Sequence, residues 1–207
     1  MKTALITGAT SGIGKATAEL LAKNNWRLII CGRNAEVLSQ MKADLSVTTE
    51  IFTLNFDIRE FSQVEKAINS IPENWKKIDV LINNAGNAHG MDSLENGNID
   101  DWDAMMDGNV KGILYISKLL IPGMKAQKSG HIVNISSTAA RQTYANGVVY
   151  CASKKAVDVI SEGMRLELTE FGIKVTNLQP GLTETDFSKV RFKGDETTAK
   201  KIYDGLT

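Results

Sequence analysis

Ala4-Leu5-Ile6-Thr7-Gly8-Ala9-Thr10-Ser11-Gly12-Ile13-Gly14 decides the architecture: a short apolar run leads at once into a glycine-rich loop, and a helical pattern follows from Gly12 to Lys23. Strand, loop with G-x-x-x-G-x-G spacing and helix N-terminus come in the order that a dinucleotide-binding turn requires. Glycines allow the tight turn and a close approach of backbone to ligand. The new helix offers unpaired N–H groups and the positive end of its dipole to a pyrophosphate. A glycine-rich turn without a ligand has the same look in isolation, but here the flanking strand and helix are both present. Gly8, Thr10, Ser11, Gly12, Ile13 and Gly14 are therefore expected to touch a dinucleotide, while Lys15 reads as a solvated helix residue.

Outward from this loop, further apolar, β-branched runs occur at Leu28-Ile29-Ile30, Ile51 to Leu54, Val80-Leu81-Ile82, Ile132 to Ile135 and Val175 to Leu178. Between them lie helical patterns at Gly12 to Lys23, Ala35 to Leu45, Phe61 to Ile71, Asp101 to Ala126 and Val148 to Phe171. Alternation of buried strands with helices predicts an α/β fold, a doubly wound parallel sheet of the Rossmann type. Pro72, Pro122 and Pro180 fall where elements are expected to end. No repeat or linker marks a boundary, so a single domain over 1–207 is expected. In the last long helix Ala152, Ala156, Ile160, Met164 and Leu168 form a four-residue stripe expected to face the sheet or a partner subunit, with Tyr150 and Lys154 in a separate row. In the preceding one, Met105, Asn109, Ile113 and Ile116 form a stripe in which a lone Asn needs a partner.

The bulk composition excludes several classes. Over 207 residues, 24 basic and 24 acidic side chains cancel, which gives no net field for nucleic acid or an anionic membrane. No apolar run is long enough to span a bilayer, and the glycine turn comes before a signal-peptide core is completed. A cytoplasmic location is expected. Cys31 and Cys151 have no metal-ligand spacing and read as reduced thiols. His89 and His131 lack the company of a metal centre or hydrolase triad, and read as a loop polar group and a strand-edge residue. No metal is expected.

After the second strand comes Cys31-Gly32-Arg33-Asn34. Folds that prefer NAD carry an acid here for the ribose 2′-hydroxyl. Small, uncharged Cys31 and Gly32 leave room for a phosphate instead, which Arg33 can grip with two parallel N–H donors. NADP(H) is expected over NAD(H), although a solvated loop arginine would read identically. Farther on, Tyr150 and Lys154 lie one helical turn apart. Lowering a tyrosine pKa by about three units asks for roughly 4 kcal/mol, which a neighbouring ammonium in a partly desolvated cleft can supply. Ser137, at the end of a buried strand, can orient a substrate oxygen.

Together these segments resemble the short-chain dehydrogenase/reductase family: the loop Thr7 to Gly14, Asn83-Asn84-Ala85-Gly86, Asn109, Ser137, Tyr150-x-x-x-Lys154 and Pro180-Gly181-Leu182-Thr183-Glu184-Thr185. The resemblance covers nearly the whole chain. It implies hydride transfer with Tyr150 as acid/base, Lys154 lowering its pKa and holding the nicotinamide ribose, Ser137 positioning the carbonyl and Asn109 maintaining a water relay. It also implies that Asp57, with Ile58, lies on the adenine side. Asn84, Ala85 and Gly86 would lie beneath the adenosine ribose, and Pro180, Gly181, Thr183 and Thr185 at the nicotinamide; Asn34 joins Arg33 in the cofactor set.

A closer resemblance is to NADP-dependent 3-hydroxy acid dehydrogenases that oxidise serine and L-allo-threonine. It rests on Ile71-Pro72-Glu73-Asn74-Trp75, Asn87-Ala88-His89-Gly90-Met91 and Thr185 to Asp195. A lid over about 182–204 would then cover the substrate. A carboxylate substrate needs a cation, for which Arg191 is the first candidate and Arg141 the second, with Phe187 also expected at the substrate; a surface role for both arginines is the competing reading. Such proteins usually continue for another helix and a seventh strand, so the usual C-terminal strand is expected to be missing, which bears on the homo-oligomer that the resemblance implies. Two rival functions share these residues: an NADPH-dependent reductase of 3-oxoacyl thioesters or other ketones, and an NADP(H)-binding sensor without turnover.

Overall fold

The β-branched and leucine-rich runs form six parallel strands in a computed structural model that describes residues 1–197. They are β1 (Thr3–Ile6), β2 (Arg27–Gly32), β3 (Ile51–Asn55), β4 (Val80–Asn83), β5 (Gly130–Ile135) and β6 (Ile173–Leu178), in the order β3-β2-β1-β4-β5-β6. Strand order reverses between β1 and β4, whose carboxyl ends therefore flank the crevice where such sheets bind ligands. Successive side chains of a strand face opposite layers. Ala4, Ile6, Leu28 and Ile30 pack with Ala18, Leu38 and Met41 of α1 (Gly12–Lys23) and α2 (Ala35–Leu45). Leu5, Ile29, Leu81 and Ile132 pack on the other side. Each fully buried Leu or Ile contributes about 1.5–3 kcal/mol, so both faces hold the sheet in register. Among the described residues the sheet ends at β6; residues 198–207 of the expected domain, and with them 198–204 of the expected lid, lie outside the described residues.

Helix boundaries follow local chemistry. Both α1 and α2 span the expected residues, and α2 opens on Asn34, whose Oδ1 accepts from Val37 N at 3.0 Å. In contrast, α3 (Phe61–Asn69) stops two residues before the expected Ile71, since Ser70 turns its hydroxyl back to Ala67 O at 2.7 Å and Pro72 follows. Ile71 is apolar because it packs in the core, not because it is helical. The expected helix from Asp101 to Ala126 is two helices, α4 (Ile99–Met106) and α5 (Gly112–Ala126), joined by a π turn at Asp107–Lys111. Its stripe of Met105, Asn109, Ile113 and Ile116 is buried throughout. Pro122 does not end an element but lies inside α5. It removes one N–H donor, yet the helix continues far enough to bury Met124.

The last long helix, α6 (Val148–Leu168), is followed by a 3-10 turn at Thr169–Phe171, where a continuous α-helix was expected. The expected stripe is also displaced. The buried row is Tyr150, Lys154, Val157, Ser161, Met164 and Leu168, whereas Ala152 is exposed. At 3.6 residues per turn a strict four-residue spacing drifts by about 40° per step and leaves any one face, while alternating steps of four and three stay on it. Tyr150 and Lys154 thus head the sheet-facing row. A short helix that the sequence did not foretell, α7 (Phe187–Arg191), lies in the expected lid.

Candidate active site

Gly8 has φ +62°, and a Cβ there would come within 2.8 Å of Ala85 Cα. The loop is held that close by Thr7 and Asn84: Thr7 Oγ1 accepts from the backbone N of Asn84 and of Ala85, each at 3.0 Å, and Asn84 Nδ2 donates to Thr7 O and Gly8 O, each at 3.0 Å. Ser11 makes no side-chain cap on α1, and no acid occupies its first turn. That N-terminus is therefore open to an anion. Gly14 and Asn34 do not line the cavity above; Gly14 lets α1 pack against the carbonyl of Gly8, and Asn34 caps α2.

The cavity has a volume of about 620 Å³ and runs over the carboxyl ends of the strands, reached by Gly8, Thr10, Ser11, Gly12, Ile13, Ala85, Gly86, Pro180, Gly181, Thr183 and Thr185. One end is bounded by Arg33, Asp57, Ile58 and Arg59. Burial works to raise the Asp57 carboxyl, but hydrogen bonds and charge from Arg59, with Arg33 farther off, hold it below the usual carboxylate range. Arg59 Nη2 lies 2.6 Å and Arg33 Nη1 3.9 Å from Asp57 Oδ2. The sequence reading missed Arg59, whose only signal was a base two places after Asp57. Cys31 also lines this end, and burial pushes its thiol so far up that it stays neutral.

Tyr150, Ser137 and Lys154 meet at the other end. The Tyr150 phenol is raised above its ordinary pKa, chiefly by burial and slightly by Tyr144; a hydrogen bond with Ser137 and the Arg191 guanidinium oppose that rise. Lys154 is buried, its pKa pulled down to about 8, and its Nζ donates to Ile135 O at 3.0 Å while lying 6.0 Å from the Tyr150 ring centroid. Asn109 sits behind the cavity wall in the π turn. Its Oδ1 accepts from Asn87 N at 2.7 Å, and its Nδ2 donates to Asn87 O at 2.8 Å and to Ser153 Oγ at 2.9 Å. Ser153 Oγ in turn donates to Tyr150 O at 2.7 Å. The lone Asn thus finds its partners by clamping the segment after β4 to the second turn of α6.

The two arginine candidates part company. Arg141 is exposed and outside the cavity. Arg191 lines it at 7% exposure, with its guanidinium carbon 5.5 Å from the Tyr150 ring centroid. Its Nε donates to Gly90 O at 3.1 Å and its Nη1 to Tyr144 Oη at 3.0 Å, while Gly90 N donates back to Arg191 O at 2.9 Å. Among the described residues no carboxylate lies within ion-pair distance of it. Phe187 stacks obliquely on Tyr150 with centroids 5.9 Å apart. His89 is in the loop next to Gly90, whose carbonyl Arg191 holds. His131 is in β5, an internal strand rather than an edge one, with Nε2 2.8 Å from Thr176 Oγ1. Both cysteines are free, and no group of His, Cys, Asp and Glu among the described residues could hold a metal. No helix among them is long and apolar enough to cross a membrane.

A sequence model described as short chain dehydrogenase matches residues 2–196. The NADP-dependent 3-hydroxy acid dehydrogenase YdfG of Salmonella typhi is 40% identical over 204 residues, which cover 98% of this chain and 82% of that protein. The serine 3-dehydrogenase of Agrobacterium fabrum is 39% identical over 204 residues, covering 99% and 81%. Among solved structures, the closed form of a serine dehydrogenase complexed with NADP+ superposes with a TM-score of 0.94 at 38% identity, over 99% of this chain and 82% of that one. The serine dehydrogenase from Escherichia coli gives a TM-score of 0.84 at 33% identity, over 97% and 89%.

Proposed function

The chain belongs to the short-chain dehydrogenase/reductase family, and from that premise we propose that it interconverts small 3-hydroxy acids, such as serine or L-allo-threonine, and their 3-oxo forms with NADP(H). It is an oxidoreductase acting on CH–OH groups. The observation that carries the substrate class is Arg191: a buried guanidinium facing Tyr150, with no carboxylate partner among the described residues, is costly unless an anion joins it.

The cavity fits NADP(H). The open N-terminus of α1 and the cradle at Gly8 suit the pyrophosphate, and a neutral end of β2 with Arg33 and Arg59 beyond it suits a 2′-phosphate. When bound, NADP(H) accepts or supplies the hydride. In the oxidising direction, Ser137 Oγ holds the substrate oxygen and Tyr150 Oη, as phenolate, takes the hydroxyl proton while the carbinol hydrogen leaves with its electron pair. In reduction the Tyr150 proton is given back to the carbonyl oxygen. Because burial raises the Tyr150 phenol, the phenolate has to be favoured by cations; among the described residues Arg191, which lowers the phenol, and Lys154 lie 5.5 and 6.0 Å from the Tyr150 ring centroid. With the cofactor bound, Lys154 would also hold the nicotinamide ribose, the role that the family resemblance implies for it. Both amide hydrogens of Asn109 are taken, so any water relay runs from its main chain and the remaining lone pair of Oδ1. We further propose a homo-oligomer, supported by the exposed apolar side chains Val159 and Leu166 on the outer side of α6.

NADP+ reduction measured against serine, L-allo-threonine and unsubstituted 3-hydroxy acids, and NADPH oxidation against 3-oxoacyl thioesters and neutral ketones, tests the reading. The hydroxy acids should have the highest kcat/KM; a preference for thioesters or ketones would replace the carboxylate reading, and saturable NADPH binding without turnover would indicate a sensor.

A further inference from the structure

Tyr144 belongs to none of the motifs above, yet the corner that holds Arg191 is built around it. Gly147, at the start of α6, lacks the Cβ that would run into the Tyr144 ring, so the ring is seated against backbone and its hydroxyl is fixed in place. That hydroxyl accepts from Arg191 Nη1 at 3.0 Å, which leaves its own hydrogen available for a further acceptor. On the other side the guanidinium is held by Gly90 O through Nε, so Nη2 is the nitrogen that has no partner among the described residues. Tyr144, Tyr150 and Arg191 all line the same cavity.

We propose that Tyr144 is a second anchor for the substrate carboxylate, its hydroxyl donating to one carboxylate oxygen while Nη2 of Arg191 donates to the other. This rests on the reading of Arg191 given above and adds a second, neutral donor to it. The pairing makes chemical sense. A planar carboxylate takes two donors side by side, and an arginine with one Nη already hydrogen-bonded can offer only part of its fork. A tyrosine whose oxygen is polarised by a guanidinium is also a better donor than a free one. The carboxylate would then sit between the carbinol carbon at Tyr150 and the lid, two carbon–carbon bonds from the reacting centre, as in a 3-hydroxy acid. Tyr144 and Arg191 act on the Tyr150 phenol in opposite directions, which places both within electrostatic reach of the reacting hydroxyl.

Tyr144→Phe removes the hydroxyl and keeps the ring that packs against Gly147. The matched probes are 3-hydroxypropanoate and its methyl ester, which differ in charge but scarcely in shape, with Arg191→Ala measured in parallel. The expected result is a rise in KM for the acid of about tenfold or more in Tyr144→Phe, with kcat, NADPH binding and activity on the ester held within about twofold. In the double variant the acid-specific losses should combine to less than their product, because each residue holds the other. If Arg191→Ala is selective for the acid but Tyr144→Phe is not, the second anchor is overturned and Arg191 stands alone. If Tyr144→Phe slows acid and ester alike, Tyr144 shapes the site without touching the carboxylate, and the proposal is again overturned. If Arg191→Ala itself shows no selectivity, the carboxylate reading fails, and Tyr144 with it.

Discussion

Lys154 Nζ donates to the carbonyl oxygen of Ile135 at 3.0 Å, so deep in the protein that burial alone brings the ammonium from its ordinary 10.5 down to about 8. The cation is kept at a cost to folding. The unfolded chain holds the proton up to about 10.5 and the folded chain only to about 8. Below about 8 both states carry the charge and the full penalty applies. Between the two values only the unfolded state binds the proton, so this group's contribution moves in favour of folding as pH rises. The shift corresponds to about 3 kcal/mol, partly offset in any variant by the Ile135 carbonyl left unpaired. Lys154→Met should therefore be more stable than wild type by about 1–3 kcal/mol near neutral pH, with the gap closing towards about pH 10, while turnover is lost. Urea denaturation of both proteins across that range measures it. A variant less stable than wild type at neutral pH would show that Lys154 is not a buried, penalised cation.

A Cβ at Gly14 would run into the carbonyl of Gly8 and the amide of Asn84. The Gly8 carbonyl is also one that Asn84 Nδ2 holds, so Gly14→Ala has no cheap relaxation. It should cost about 1–3 kcal/mol in stability and weaken NADPH binding more than it changes the KM of the organic substrate. Calorimetry and an NADPH fluorescence titration on the same preparation check both parts.

Arg33 bounds the end of the cavity proposed to take the 2′-phosphate, with its side chain 65% exposed and 3.9 Å from Asp57, which Arg59 already neutralises at 2.6 Å. Wild type should prefer NADP+ to NAD+. Arg33→Asp should lower kcat/KM for NADP+ by about tenfold or more and move the preference towards NAD+, because attraction for the 2′-phosphate becomes repulsion. Equal efficiency with both cofactors in wild type would remove the assignment.

The strand, loop and helix around Thr7 to Gly14 were legible because β-branched runs and obligatory glycines write backbone geometry directly into the sequence. That Tyr150, Lys154 and Ser137 border one cavity was legible because a helical turn and a strand end position them, and Asn109 stood out as a lone polar residue in an apolar stripe that needed partners. What the sequence hid were relationships across elements. Nothing local says that Asn109 clamps Asn87 to Ser153, that a π turn divides α4 from α5, or that Arg59 rather than Arg33 carries most of the pairing with Asp57. The buried face of α6 was misjudged by counting in fours, and Pro122 was taken for a helix end although core burial of Met124 carries α5 past it. Tyr144 carried no signal at all: its part is set by Gly147 beneath it and by Arg191, brought in from α7.

The proposed hydride transfer depends on a proton path through Tyr150, and Tyr150→Phe tests it most directly. The phenyl ring keeps the packing against Phe187 and the cavity shape, so only the group that exchanges a proton is removed. NADPH affinity by fluorescence titration and kcat with a 3-hydroxy acid are measured on both proteins. NADPH binding should stay within about threefold of wild type and kcat should fall by about a hundredfold or more. A variant that binds NADPH normally and keeps more than about a tenth of wild-type turnover would contradict that path, since another group would then be moving the proton.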